Sequence, residues 1–261
     1  MFVRHGETEF IVEGRFQGQA ETPLSAVGER QAALTAARLA RPHASPALPI
    51  PTGPPVEIAH SPLARAADTA RAIEEAMAGA SSFAQSIERR PEPGLLEIGQ
   101  GSWEGLLTTE IEARWGDVLG TWRRRPLDAW APGGESIPEV QARLRPGLAG
   151  ILARLAAAGA DRAPSATTVS QVAGYREPLS DRPWSVVVGH DGVFKVALLT
   201  LFDLPLERFW MWSFDLCGIG VVEFRGARPL VRAMNLTEHL APLLDEAAQE
   251  AAEERQRSGA M

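Results

Sequence analysis

Residues 1–8 read Met-Phe-Val-Arg-His-Gly-Glu-Thr, a short apolar stretch that ends in a cation and an imidazole. The apolar residues predict a β-strand over Met1–Arg4, which leaves His5 at the carboxyl end of that strand. Ligands of open α/β folds bind at this edge of the sheet, and the glycine after the histidine lets backbone amides approach an anion. The opening stretch therefore predicts a parallel sheet with an anion-binding site at its carboxyl edge.

Further strand-like runs alternate with helical patterns along the chain. Two helices are best defined: one follows Ser61, which we expect to cap it, and buries a stripe from Leu63 to Met77, and the other begins with the capping-box spacing of Ser136 and Glu139. This alternation predicts an α/β three-layer sandwich, with a mainly parallel sheet flanked by helices. The remaining predicted strands are Val56–His60, Ile87–Arg90, Ser185–Gly189, Gly218–Phe224 and Pro229–Met234.

The domain organisation follows from shifts in composition. The segment of about residues 105–131 is rich in tryptophan, leucine and arginine and lacks a convincing strand. We interpret it as a small helical cap inserted in a single domain over residues 1–240. The stretches 41–55 and 159–183 are predicted surface loops, and residues 241–261 are predicted to form a charged, solvated tail.

Composition excludes several classes of function. The formal net charge of −7 over 261 residues argues against a nucleic-acid partner, because phosphate backbones are bound by clustered Lys and Arg. The only cysteine, Cys217, excludes an internal disulfide framework and favours a reducing compartment. No apolar run approaches the length of a membrane span. We therefore expect a cytoplasmic protein without a membrane or nucleic-acid partner.

Three distant segments supply further polar side chains suited to an anion. Arg65 lies in the first turn of the helix after the second strand, where its guanidinium could bind phosphate together with the helix N-terminus; a surface pair with Asp68 is the alternative. His190 follows a buried strand and should emerge at the same edge as the first histidine. Glu97 follows the third strand on a glycine-rich loop, and Glu104 competes with it, although we consider Glu104 structural.

Together these segments resemble the histidine phosphatase superfamily, which includes cofactor-dependent phosphoglycerate mutases and many small phosphatases. The resemblance covers roughly residues 1–240. Its motifs are Arg-His-Gly-Glu-Thr at 4–8, Ser-Pro-Leu-Ala-Arg-Ala at 61–66 and Gly-His-Asp-Gly at 189–192, and this combination is highly specific.

The resemblance implies that His5 accepts the phosphoryl group, that Arg4, Arg65 and His190 bind its oxygens, and that Glu97 donates a proton to the leaving group. No cofactor and no metal is implied. Phosphoryl transfer spreads charge over three oxygens, so two arginines and a protonated His190 could stabilise the transition state without magnesium. A backbone acceptor on one ring nitrogen of His5 would fix the reacting tautomer.

Two departures from the family pattern bear on activity. Ile11 stands where the family usually has an asparagine that donates to phosphate. Glu-Ile-Gly-Gln-Gly at 97–101 replaces the mutase-type Glu-Arg-His-Tyr-Gly, which favours the phosphatase branch. We expect a phosphomonoesterase acting on a small-molecule phosphate monoester. The alternatives are a phosphoglycerate mutase and a non-catalytic protein that binds phosphorylated ligands, and assembly as a homodimer stays open.

The cap carries aromatic and basic side chains whose role the sequence leaves open. Four tryptophans in or beside the cap could wall an apolar leaving-group pocket or pack the cap onto the body. Residues 123–125, Arg-Arg-Arg, could attract anionic substrates or form a solvated face. The tryptophans are Trp103, Trp115, Trp122 and Trp130.

Overall fold

A computed structural model describes residues 1–80, 83, 87–159 and 182–246. Its strands are β1 Phe2–Arg4, β2 Glu57–His60, β3 Glu88–Pro91, β4 Val186–Gly189, β5 Ile219–Arg225 and β6 Arg228–Leu236. They form one sheet of order β3-β2-β4-β1-β5-β6. The first four strands pair in parallel, and β5 and β6 continue the sheet as an antiparallel hairpin. The sheet is therefore mainly parallel, as predicted.

Helices cover both faces of this sheet. They are α1 Glu9–Val12, α2 Ala26–Ala40, α3 Ala64–Ala78, α4 Thr108–Arg124, α5 Ile137–Gly159 and α6 Asp191–Leu201, with a 3-10 helix at Leu206–Met211. Because side chains alternate along a strand, Phe2 and Val187 join one core with α5 and α6. Val3 and Val188 join a second core with α2 and α3. The predicted three-layer α/β sandwich is confirmed.

The two helices predicted from their caps have different outcomes. At α5, Ser136 N–H donates to Glu139 Oε2 at 2.8 Å and Glu139 N–H to Ser136 Oγ at 3.4 Å, so the capping box is confirmed. The apolar stripe of α3 is buried as predicted, but this helix begins after Leu63 with no side-chain cap. The prediction that Ser61 caps α3 is wrong, because that hydroxyl hydrogen-bonds His190 instead.

The loop after β1 packs backbone to backbone against α2. A Cβ on Gly6 would lie 2.5 Å from the Gly28 carbonyl oxygen, and one on Gly28 would lie 2.0 Å from the Glu7 carbonyl oxygen. Gly6 N–H donates to Thr69 Oγ1 at 3.3 Å. The glycine after His5 therefore serves close packing against α2, and its own N–H donates to a threonine hydroxyl.

The segment 105–131 is helical, with α4 kinked where Trp115 leaves helical geometry (φ −140°, ψ 35°). Of the two predicted surface loops, residues 41–55 contain no helix or strand. Most of the stretch 159–183 and the end of the predicted tail lie outside the described residues. No helix in the described ranges is long and apolar enough to span a bilayer.

Candidate active site

Three neighbouring strands bring their carboxyl ends to one place. Arg4 pairs with Gly189 across β1 and β4, and His5 N–H donates to the Gly189 carbonyl at 3.0 Å. Ser61, directly after β2, donates its N–H to Val188 of β4 at 2.9 Å. The histidines that follow β1 and β4 consequently meet, with ring centroids 5.0 Å apart.

His5 is held in one tautomer by its own chain. Its ring is 3% exposed, and Nδ1 lies 2.6 Å from the Gly6 carbonyl oxygen, to which it donates. Nε2 therefore carries the lone pair that can act as a nucleophile. Burial, followed by the charges of Arg4 and Arg65, lowers the pKa of His5 well below its usual 6.5. The ring is thus neutral in the ligand-free protein, as a nucleophile must be.

His190 is fully buried and presents Nδ1 as a donor. Its Nε2 lies 2.8 Å from Ser61 Oγ, which already accepts from the Leu63 N–H at 3.4 Å. The Ser61 hydroxyl can therefore donate to Nε2, which places the ring proton on Nδ1.

The protonated His190 expected from the sequence is not what the ligand-free site favours. Burial lowers the pKa of His190 well below 6.5, and the positive charges of Arg65 and Arg4 lower it further. A neutral ring with its proton on Nδ1 still supplies one hydrogen bond to an anion.

Arg65 is 1% exposed and is fixed by the loop between α1 and α2. Its Nη1 donates to the Ala20 carbonyl at 2.9 Å and its Nη2 to the Gly18 carbonyl at 2.7 Å. A guanidinium that donates to carbonyls keeps its full positive charge for a ligand.

The alternative roles considered for this end of α3 are not observed. Asp68 pairs with Arg71 at 2.8 Å, so it does not pair with Arg65. The first helical N–H, of Ala64, donates to Glu21 Oε2 at 3.0 Å. Arg65, and not the N-terminus of α3, is what this segment contributes to the site.

Three buried nitrogens of the site have no hydrogen-bond partner within the described ranges: Arg4 Nε, Arg65 Nε and His190 Nδ1. Arg4 uses Nη1 to donate to the Phe214 carbonyl at 2.5 Å, which fixes its guanidinium. A buried donor without an acceptor costs about 1–3 kcal/mol. Because Arg4 and Arg65 line one cavity with His5, and His190 adjoins His5, an oxyanion bound there could supply the missing acceptors.

Glu97 lies at the N-terminus of α6. Its Oε1 accepts the N–H of Ile98 at 2.8 Å and of Val193 at 2.9 Å, and its Oε2 accepts the N–H of Gly192 at 3.1 Å. A Cβ on Gly192 would lie 2.5 Å from Oε1, so this glycine makes room for the carboxyl group. Burial raises the pKa of Glu97, while the backbone N–H groups oppose that rise. The raised pKa favours the protonated carboxyl group, which is the form that can donate a proton to a leaving group.

Glu104, the competing carboxylate, holds loops together. Its Oε1 accepts the N–H groups of Gln19 and Gln100, each at 2.9 Å. It is not among the residues that line the cavity described next. This geometry supports a structural role for Glu104 and leaves Glu97 as the carboxyl group at the site.

An ion pair absent from the sequence reasoning fixes the loop that carries Glu97. Arg143 donates to the Glu97 carbonyl at 2.8 Å and forms an ion pair with Glu135 at 2.7 Å. Glu135 also accepts the Gly99 N–H at 2.8 Å. Arg143 of α5 and Glu135, which precedes this helix, thus hold the loop at Glu97 and at Gly99.

These side chains surround a cavity of about 300 Å³. Arg4, His5, Arg65 and Glu97 line it, and His190 adjoins it through His5. The other lining residues are Phe16, Gln17, Gly18, Ile98, Gln100, Trp122, Asp191, Gly192, Lys195, Phe209 and Trp210. All five residues predicted from the sequence are therefore brought together.

Of the four tryptophans in or beside the segment 105–131, Trp122 lines the cavity. Trp103 is fully buried and Trp115 packs beside it, whereas Trp130 is exposed. Ile11 and the exposed arginines 123–125 do not line the cavity. Sequence reasoning missed Ser61, Lys195, Phe209 and Trp210 as parts of the site.

Within the described ranges no group of three or more His, Cys, Asp or Glu residues is arranged to hold a metal ion. In the part of the chain that the structure describes, the cationic side chains that line the cavity are those of Arg4, Arg65 and Lys195.

Comparison with known proteins agrees with this geometry. The family model of the histidine phosphatase superfamily (branch 1) matches residues 1–159 and 169–237. Phosphoserine phosphatase 1 of Hydrogenobacter thermophilus is 27% identical over 250 residues, which cover 95% of this chain and 96% of the relative. Glucosyl-3-phosphoglycerate phosphatase of Mycobacterium tuberculosis is 33% identical over 210 residues, which cover 80% of this chain and 77% of the relative.

A solved structure of the mycobacterial glucosyl-3-phosphoglycerate phosphatase in complex with VO3 has the same fold. It superposes with a TM-score of 0.69 at 26% identity and covers 90% of this chain and 98% of its own.

Proposed function

This chain belongs to the histidine phosphatase superfamily, branch 1, as a phosphoric monoester hydrolase, and we propose that it transfers the phosphoryl group to His5 before hydrolysis. One observation carries the proposal: His5 lines the cavity with Arg4 and Arg65 and its ring centroid lies 5.0 Å from that of His190, and each of these three neighbours has a buried nitrogen without a hydrogen-bond partner in the described ranges. Such donors act on charge that develops at a phosphoryl group.

The substrate phosphoryl group binds by its oxygens to the guanidinium groups of Arg4 and Arg65 and to Nδ1–H of His190. These groups are fixed before substrate arrives, by the Phe214, Gly18 and Ser61 contacts respectively. Little reorganisation is then needed in the transition state, which is the condition for strong electrostatic stabilisation.

In the first step, Nε2 of His5 attacks phosphorus in line with the ester oxygen. The P–N bond forms, the P–O bond to the leaving alcohol breaks, and Glu97 gives that oxygen its proton. The positive charge of the phosphorylated ring is offset by the phosphoryl oxygens and by the Gly6 carbonyl at Nδ1.

In the second step, a water molecule attacks phosphorus and Glu97, now a carboxylate, takes its proton. The P–N bond breaks, neutral His5 is restored, and inorganic phosphate leaves. The two guanidinium groups supply the positive charge and His190 supplies a hydrogen bond, so the proposed steps use no metal ion.

The substrates that we propose are small-molecule phosphate monoesters. The two curated relatives are named for phosphoserine and glucosyl-3-phosphoglycerate, which are both of this class. A phosphate-release screen over a panel of sugar phosphates, phosphoamino acids, phosphoglycerates and nucleoside monophosphates tests the proposal. Failure to release phosphate from every member would contradict it.

A phosphoglycerate mutase activity ranks second. A mutase must protect its phosphohistidine from water and needs a bisphosphoglycerate to load it. The loop after Glu97 carries Gly99 and Gln100 where the mutase pattern has His-Tyr, which favours hydrolysis. A long-lived phosphoenzyme that requires bisphosphoglycerate would reverse the ranking.

We also propose a cytoplasmic location, on the strength of the lone buried Cys217. Assembly as a homodimer stays a prediction, which light scattering on the purified protein can test.

Exhaustive EDTA treatment should leave phosphatase activity unchanged, and vanadate should inhibit as a mimic of the five-coordinate transition state. The physical reason is that Arg4, Arg65 and His190 provide the donors that a metal would otherwise supply. A zinc-dependent phosphatase treated in parallel serves as the control for chelation. Loss of activity that magnesium or zinc restores would refute the prediction.

The rings of His5 and His190 should stay neutral below pH 6.5 in the phosphate-free protein, because burial lowers both pKa values. Inorganic phosphate should raise the pKa of His190, since a nearby anion favours the charged ring. Carbon-13 NMR of the ring Cε1 signals measures both, and the chain has only five histidines to assign by substitution. A midpoint at or above 6.5 for either ring without phosphate would contradict the prediction.

A further inference from the structure

Lys195 is the only lysine in the 261-residue sequence, and the other 25 basic side chains are arginines. It lies on α6, it lines the active-site cavity, and its side chain is 6% exposed. Neither the proposed phosphoryl transfer nor the phosphate-binding set uses it. The single lysine of the chain is thus a buried cation at the cavity without an assigned role.

The ammonium group of Lys195 has fewer acceptors than donors. Within the described ranges, Nζ donates one hydrogen bond, to Asp191 Oδ2 at 2.6 Å. Its other neighbours are aromatic rings: Nζ lies 5.4 Å from the Phe209 centroid and 4.9 Å from the Trp210 centroid. Rings attract a cation but do not replace a hydrogen-bond acceptor for its remaining N–H groups.

The aromatic neighbours define one side of the cavity. Trp122 of the cap packs edge-on against Trp210, with centroids 4.9 Å apart, and both line the cavity with Phe209. Arg4, Arg65 and His5 line the same cavity and form its phosphoryl-binding part. A leaving group in the cavity can therefore meet the aromatic rings and the cation that they adjoin, Lys195.

The aromatic wall strengthens the attraction of Lys195 for an anion. A charge–charge hydrogen bond is worth more where rings exclude water than at the surface. Asp191 does not satisfy all the hydrogen-bond donors of Lys195. Its Oδ1 accepts the Phe214 N–H at 2.8 Å, and its Oδ2 accepts only one of the three N–H groups of the ammonium.

We propose that Lys195 binds a carboxylate of the leaving alcohol, so that this enzyme prefers phosphate monoesters whose alcohol carries a carboxylate close to the ester oxygen. The inference rests on the proposed phosphatase function and adds the substrate class of the same site. The aromatic wall of Trp122, Phe209 and Trp210 packs against the carbon atoms of that alcohol.

Matched substrate pairs isolate the carboxylate. Phosphoserine and phosphoethanolamine differ by this one group, and 3-phosphoglycerate and glycerol 3-phosphate differ at the same position. We expect the unaltered enzyme to show a higher kcat/KM for the acidic member of a pair. The measured quantity is the ratio of kcat/KM for the acidic member to kcat/KM for the other member of the pair. In Lys195→Met this ratio should fall by about 10- to 100-fold, the effect of losing one hydrogen bond between charged groups.

The ratio is the decisive quantity, because general damage to the cavity lowers kcat/KM for both members of a pair and leaves their ratio unchanged. Arg124→Met is the matched control: it removes one cation from the exposed face of α4, outside the cavity, and should leave the ratio unchanged. An unaltered ratio in Lys195→Met, or an equal fall in both variants, would overturn the proposal.

Direct binding gives a readout that does not depend on turnover. Protein made with lysine labelled with carbon-13 at Cε alone has a single labelled side-chain carbon, that of Lys195. In the His5→Ala background, which lacks the nucleophile, phosphoserine should shift the signal of this carbon and phosphoethanolamine should shift it much less. Equal shifts from the two ligands would overturn the proposal.

The outcomes separate this inference from the proposed function. If the enzyme hydrolyses both members of each pair with equal kcat/KM, the carboxylate site is wrong and the phosphatase function stands. If it hydrolyses no phosphate monoester at all, the proposed function fails, and the lysine signal still decides whether the cavity binds a carboxylate.

Discussion

His5→Ala should abolish phosphoenzyme formation and lower turnover by at least about 10³-fold, because removing a nucleophile costs several powers of ten. Nε2 of His5 is the atom that forms the bond to phosphorus, and the unpartnered donors around it can bind phosphate but cannot replace it. Phosphate release gives the rate. Intact-mass analysis after an alkaline quench gives the phosphoenzyme, since the P–N bond is labile in acid.

Folding must be checked separately, because the His5 ring is buried and bonds to the Gly6 carbonyl. Thermal unfolding of His5→Ala and of the polar variant His5→Gln serves this purpose. His43→Ala, on an exposed loop residue, controls for loss of an imidazole elsewhere. A folded His5→Ala protein that retains more than about one per cent of the activity of the unaltered enzyme would contradict the covalent mechanism.

Glu97→Gln should slow the hydrolysis of alkyl phosphates by about 10²–10⁴-fold, the usual contribution of a positioned general acid. It should slow p-nitrophenyl phosphate much less, because nitrophenolate leaves without a proton whereas an alkoxide does not. The comparison is made on kcat/KM, which reports the steps through the first transfer and excludes the shared hydrolysis of phosphohistidine.

Glu104→Gln is the matched control, since Glu104 also accepts two backbone N–H groups near the site but does not line the cavity. Glu104→Gln should lower kcat/KM to a similar degree for both substrates, and it should lower the thermal stability of the protein. Glu97→Gln could instead lower kcat/KM equally for both substrates. In that case Glu97 would support the pocket without donating a proton, and Glu104 or another carboxylate would become the best candidate for the general acid.

The sequence predicts those residues of the site whose positions are set by the ends of the β-strands. His5 and His190 directly follow β1 and β4, and parallel neighbours end at the same edge, so their meeting follows from connectivity. Arg65 follows from its place one turn after β2. The local pattern is sufficient because the sheet fixes these positions.

The rest depends on contacts between distant residues. Ser61 precedes an apolar stripe, which is also the pattern of a helix cap, and nothing local shows that it bonds a ring 129 positions away. Trp210 belongs to a 3-10 helix without a clear apolar period, so its place beside Trp122 follows only from packing. The protonation of His190 likewise depends on burial and on neighbouring charges, which the sequence does not order in space.

Lys195 also gives the folded chain one peptide bond that a lysine-specific protease can cut. That bond lies within α6, beside a side chain that is almost completely buried. A protease needs several residues in extended form, so cutting requires α6 to open. When α6 opens and closes fast relative to cutting, the digestion rate reports the free energy of opening this helix. The N–H groups of Gly192 and Val193 at the start of α6 are the ones that bind the Glu97 carboxyl group. Lys195 thus reports on the local stability of the catalytic cavity.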